Sequence, residues 1–173
     1  MTESILLSLI STLSSVLFNG IMQEPKYLEL EGAPDWYGKY TNDKYIVAYG
    51  YSDSNRDFLK SAKDDCKNNM ISEIEILLNK TLSKNKENLN EEFNLLKTKY
   101  LSNQNYEYYF NKELNYKNIY HEYEKNQTFS KCIIDKNSFL TYQKEILEEF
   151  NKNYNISKMN EKQKELEREI RKL

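Results

Sequence analysis

Tyr45-Ile46-Val47-Ala48-Tyr49-Gly50-Tyr51, preceded by Gly32-Ala33-Pro34-Asp35-Trp36-Tyr37 and followed by Ser54, decides the fold of this 173-residue chain. Lys44 to Tyr51 reads as a strand from its β-branched and aromatic content. Gly50, near its end, allows a bend or a close backbone approach. Ser54 is a good helix N-cap, with Asp57 three residues on completing a pair that resembles a capping box. The helix that follows carries Leu59, Ala62, Cys66, Met70, Ile74 and Leu77 at three- and four-residue spacing. This single apolar stripe predicts packing against something flat, with Lys60, Lys63, Asp64, Lys67 and Asn68 on the solvent side. Upstream, Pro34 pushes Ala33 out of the helical region, so Asp35 and the only Trp enter as an extended arm. A lone Trp there anchors the arm into the core.

Downstream, Thr81 to Gln104 is polar but periodic, with Leu82, Leu89, Phe93, Leu96 and Tyr100. This predicts a second helix from about Asn88, with a break around Ser83 to Asn85. Tyr106 to Tyr116 is ambiguous. Lys117 to Glu124 and Gln127 to Ile134 read as two strands joined by a tight turn at Lys125-Asn126. Asn137 starts a further helix with Phe139, Ile146, Leu147 and Phe150 as its apolar face. The tail from Asn160 is a charged helix in which Met159, Leu166, Ile170 and Leu173 stand near heptad spacing. A seam of two heptads is short, and predicts a solvated extension. The sum is an α+β fold: a small antiparallel sheet with helices packed on one face.

The chain begins with an apolar run, Ile5 to Phe18, interrupted only by Ser and one Thr. Its length suits the hydrophobic region of a signal peptide and is short for a membrane span. Glu3, the lack of Lys or Arg before the run, and the lack of a small-x-small site near Asn19-Gly20 argue against it, and a buried or membrane-lying helix is the alternative. Residues 1–22 are therefore a signal peptide or an N-terminal apolar helix, through which the protein could associate with a membrane. Residues 32–150 form the α/β domain, and residues 151–173 a charged helical tail. A net charge of -2 and interspersed Lys and Glu give no basic face for nucleic acid. Fifteen Tyr reflect either the composition of the encoding genome or a Tyr-rich contact surface.

Catalytic and metal chemistry find little support. The single His, His121, sits between Tyr120 and Glu122 in a predicted strand, with no nucleophile motif nearby. Two isolated Cys and one His do not make a zinc spacing. Four Gly fall in no phosphate-cradling pattern. Carboxylate pairs such as Glu148-Glu149 lie on solvated helix faces. The expectation is a non-enzymatic protein without cofactors or metals. Cys66 lies on the apolar stripe, and Cys132 shares the uncharged side of its strand with Ser130 and Ile134. Both sulfurs can thus point into one interface, as a disulfide if the protein is exported or otherwise as two buried thiols. Asn126 opens an N-x-Thr acceptor, Asn126-Gln127-Thr128, in a predicted turn, and is a candidate glycosylation site.

Gly32-Ala33-Pro34-Asp35-Trp36, a strand ending Ala48-Tyr49-Gly50, and a helix beginning near Asn55 with Ala62 and Asp64-Asp65 resemble the Lpp-twenty lipoprotein family. These are small bacterial surface proteins related to some flagellum-associated envelope proteins. A later match is Cys132-Ile133-Ile134-Asp135-Lys136, a strand followed by an amphipathic helix. The resemblance covers about Gly32 to Phe150, with Pro34, Asp35, Trp36 and Gly50 as its anchors. It implies a compact α/β domain, an envelope location and a structural or interaction role, with no catalytic residues to carry over. Members typically carry a lipidated Cys at the mature N-terminus, which has no counterpart here. That moves the expected location from an outer-membrane anchor towards the periplasm or the outer-membrane periphery. The expected partners are other envelope proteins or a second copy. An uncleaved N-terminus would instead fit a cytoplasmic partner-binding protein, and a small-ligand module of the periplasm is the other alternative.

Overall fold

The computed structural model describes residues 3–19, 30–39, 44–85, 99–102 and 104–170. Its elements run α1 (Glu3–Asn19), β1 (Tyr45–Ser52), α2 (Phe58–Lys84), α3 (Tyr106–Glu113), β2 (Asn115–Glu122), β3 (Gln127–Asp135) and α4 (Lys136–Ile170). The three strands form one antiparallel sheet in the order β1-β3-β2. The fold is α+β, with a small antiparallel sheet and helices packed against it.

The long strand-to-helix segment forms because its two periodicities meet at one surface. In β1, alternate residues Ile46, Ala48 and Gly50 face α2, whose Ala62, Cys66, Met70 and Ile74 return every third or fourth position. Gly50 marks the closest approach. A Cβ built there would lie 2.1 Å from Ala62 O and 2.4 Å from Cys66 N, so only glycine admits the helix backbone. Ser130 of β3 donates to Ala62 O at 2.6 Å from the sheet side. Tyr51 N donates to Asp65 Oδ2 and Asn69 Nδ2 donates to Tyr49 O, each at 2.8 Å. Helix side chains thereby satisfy backbone groups along the outer edge of β1, a strand edge otherwise open to pairing.

The other sheet face is covered by the arm before β1. Trp36, Tyr37 and Tyr45 pack on buried Val47, Tyr49 and Ile133. Tyr37 meets Tyr49 and Phe129 edge-on, with centroids 5.4 and 4.9 Å apart. The arm is turned rather than extended, because Tyr37 N donates to Pro34 O at 2.9 Å and Ala33 N to Leu30 O at 3.0 Å.

Beyond the sheet, α1 lies against α2 and α4. It places Leu9, Leu13, Val16 and Leu17 in the same core as Met70, Leu78, Leu147 and Phe150. Ser8 Oγ donates to Asn85 Oδ1 at 2.8 Å, tying α1 to the end of α2. Among the described residues no helix is long and apolar enough to cross a membrane.

Several local expectations need correction. The helix after β1 starts at Phe58, and neither Ser54 nor Asp57 caps it by a side chain. The Ser54 hydroxyl instead bonds Arg56 N and O in a turn, and Asp57 takes a left-handed conformation at φ 51°. Leu59, in the first turn of this helix, is exposed rather than part of the buried stripe, which begins at Ala62. The hairpin turn spans Tyr123 to Asn126, with Asn126 at φ 51°, so it is a four-residue turn and wider than two residues. The ambiguous stretch Tyr106 to Tyr116 resolves into α3 and the start of β2. The charged tail is no separate helix but the continuation of α4. The helix expected from about Asn88, with Leu89, Phe93 and Leu96, falls mainly on residues 86–98, outside the described residues; residues 99–102 are helical and Tyr100 is buried.

Candidate functional site

Among the residues singled out from sequence, Cys66 and Cys132 are brought together. They form a disulfide across the α2–β3 interface, with Cα atoms 6.2 Å apart and a sequence separation of 66. Both residues are fully buried. The helix period brings Cys66 to the sheet, and the strand period brings Cys132 to the same side as Ser130.

Pro34, Asp35 and Trp36 lie together in the arm on the opposite sheet face, and Gly50 lies under α2, so the anchors do not form one site. Asp35 is exposed, and Trp36 is half-buried with its ring 6.2 Å from that of Tyr37. Asn126 is already engaged: its amide donates to Asp53 O at 3.3 Å and to Asn55 Oδ1. Thr128, the hydroxyl residue of the acceptor motif, is fully buried and bonded to His121 Nδ1 at 2.7 Å. In the folded chain the motif is therefore built into the hairpin. His121 stacks on Phe58 at 4.3 Å, which accounts for its place in the strand by packing. Among the described residues, no group of three or more His, Cys, Asp or Glu is placed to hold a metal ion.

The cleft that sequence reading missed lies between α3 and the first turns of α4. It encloses about 410 Å³. Asn105 starts α3, its side chain accepting from Tyr108 N at 3.1 Å, and its carbonyl accepts from Tyr142 on α4 at 3.2 Å. This clamps the two helices so that Tyr109 stacks on Tyr142, with centroids 4.3 Å apart and planes 18° from parallel. Tyr108, Glu113, Ser138, Thr141 and Glu145 complete much of the wall. Tyr109 is only 3% exposed, yet among the described residues its hydroxyl has no hydrogen-bond partner. Burial, reinforced by the charges of Glu113 and Asp135, pushes the Tyr109 hydroxyl well above the usual tyrosine range. Burial likewise raises Tyr142, against the opposing effect of its bond to Asn105.

Beside Tyr142 in sequence, Gln143 of α4 is fully buried. It accepts from Tyr100 and donates to Gln104 Oε1 at 2.9 Å, so its polar atoms are matched. The one signal for the cleft in the sequence was Tyr spacing on α3 and α4. Its pairing across 33 positions was invisible before the helices were placed. No family model, curated protein or solved structure matches the chain.

Proposed function

We propose that this chain is a non-enzymatic protein of a bacterial cell envelope. It works in the periplasm or at the outer-membrane periphery, through contacts with other envelope proteins or with a second copy. A flagellum-associated role follows the family that its sequence resembles. The observation that carries the reading is the buried Cys66–Cys132 disulfide. Such a bond is maintained in an oxidising compartment and is rare where thioredoxin and glutathione keep thiols reduced. The groups most able to support nucleophilic catalysis are also engaged in packing: both cysteines are bonded, and His121 is stacked and hydrogen-bonded. A helix laid across a small antiparallel sheet, which the resemblance implies, supports this reading.

The test is the intact mass of protein isolated from its source cells, alkylated with and without reductant. Two cysteines blocked until reduction support the envelope reading. Two freely alkylated cysteines on a full-length chain overturn it in favour of a cytoplasmic partner-binding protein. The same spectrum decides the fate of residues 1–22. Loss of this segment would remove Leu9, Leu13, Val16 and Leu17 from the core, so a processed chain must cover the α2–α4 surface differently. A second reading, a periplasmic module for a small ligand, is favoured by the tyrosine-lined α3–α4 cleft.

A further inference from the structure

α4 carries two apolar stripes, one buried in its own domain and one exposed. Phe139, Leu147 and Phe150 are buried along one side of the helix. Met159 stands about two and a half turns beyond Phe150, so its side chain leaves the helix on the opposite side. Ile156 and Met159 are 48% and 70% exposed there. In sequence the stripe continues through Gln163, Leu166 and Ile170, in alternating steps of three and four residues. That is a heptad seam, with Ile156, Gln163 and Ile170 at a and Met159 and Leu166 at d. Upstream, Glu149 and Lys152 fall on the same two positions, so the seam begins at Ile156. A seam this short does not hold an isolated helix, which is why the sequence by itself predicts a solvated tail. The tail is instead the continuous end of α4, whose first half is packed in the core, so the cost of nucleating it is already met.

The register of this seam selects its partner. β-Branched residues at a with Leu at d favour two parallel helices, and a single polar residue at a fixes their alignment. Ile156, Ile170 and Leu166 fit the first rule and Gln163 the second. In a parallel pair Gln163 meets its own counterpart, amide to amide, whereas antiparallel helices would set it against Leu166. Lys162 at g then lies opposite Glu167 at e of the second copy, an opposite-charge pair that two-fold symmetry makes twice. Because the buried side of α4 is the one away from the seam, two parallel copies carry their domains outward and clear of each other. We propose that residues 156–170 of α4 form a parallel coiled-coil dimer with a second copy of this chain. This gives a surface to the contact with a second copy proposed above and rests on that part of the reading, independently of the compartment.

Sedimentation equilibrium of the full purified chain, from micromolar to millimolar concentration, tests this. A reversible equilibrium between monomer and dimer is expected. Met159→Glu, at an exposed position, should weaken the dimer at least about tenfold, since a charge at d would be buried without a partner. The melting temperature of the dilute monomer should stay where it was. Lys162→Glu should weaken the dimer about three- to tenfold, and Lys162→Glu/Glu167→Lys should restore it to within about twofold, a rescue that the parallel register alone gives. Gln163→Ile should tighten it at least about threefold, since a polar residue at a costs stability. A monomer throughout the range, wild-type association in Met159→Glu, or no tightening in Gln163→Ile overturns the seam. Dimerisation without rescue by the charge swap overturns the parallel register. The compartment is read separately by alkylation, so a monomer here with blocked cysteines there would sink the seam and keep the envelope reading.

Discussion

On one face of the sheet, the α2 backbone touches β1 at Gly50 and a disulfide joins helix to strand, whereas on the other a short arm covers the strands with the rings of Trp36 and Tyr37. Both faces bury aromatic or aliphatic surface, but they differ in how far they can adjust. A ring edge can slide or tilt by a fraction of an ångström at small cost. A backbone held at contact distance by a covalent bond cannot. The helix face should therefore be the less tolerant, although the arm carries the only Trp.

The largest effect should follow Gly50→Ala. The new methyl meets Ala62 O and Cys66 N, both backbone atoms of a helix pinned by the disulfide, so the helix must lift as a body. The expected loss is about 3 kcal/mol or more, at or beyond the upper end of ordinary overpacking. Urea unfolding followed by circular dichroism measures it. A loss below that of Trp36→Ala would break the ranking of the two faces. Removing the bridge by the double substitution Cys66→Ala/Cys132→Ala comes next, at about 2–4 kcal/mol for a bond that closes a long loop. A denaturation midpoint unchanged by reduction would show that the other bonds between α2 and the sheet suffice. Trp36→Ala should cost about 1–2 kcal/mol, because its ring is only half-buried on the arm face. Unfolding midpoints under the same conditions compare all three directly.

Legibility from sequence follows the same division. The contact of α2 with the sheet could be read because Cys66 lies on the three- and four-residue stripe of α2 and Cys132 alternates with Ser130 and Ile134 on one side of β3. For Gly50 the residue type allows either a bend or a close backbone approach, and the close approach is what occurs. What failed was local and polar. Ser54 and Asp57 have the residue types of a cap, but the chain uses them in a turn before Phe58, since capping depends on φ and ψ that residue type alone does not set. α3 was ambiguous because eight residues with three tyrosines and one phenylalanine suit a strand as well as a helix. The cleft it forms with α4 depends on a tertiary clamp from Asn105 to Tyr142, which leaves no mark on either segment alone.

The smallest contrast between the faces lies in two tyrosines of β2. Tyr116, on the helix side, donates to Lys63 O at 3.1 Å and is half-buried beneath α2. Tyr120, on the arm side, donates to Glu122 Oε2 at 2.7 Å and stands exposed at the strand edge. Tyr116→Phe should cost about 0.5–1 kcal/mol, the usual worth of one partly buried bond. Tyr120→Phe should fall within the error of the measurement, since water replaces its partner. The alkaline limb of the stability curve sharpens this pair. Burial, with the charge of Asp64, raises the Tyr116 hydroxyl above its unfolded value of about 10, so the folded chain holds that proton more tightly. Its contribution is complete below about pH 10 and is lost as pH rises further towards the folded value. Tyr100, Tyr106, Tyr109 and Tyr142 are shifted in the same direction, chiefly by burial, so wild-type stability should fall steeply above about pH 10. Tyr116→Phe removes one member of that set and should make the fall shallower, read as melting temperature against pH from 8 to about 11. An unchanged slope would mean that α2 leaves Tyr116 as open to water as the arm leaves Tyr120.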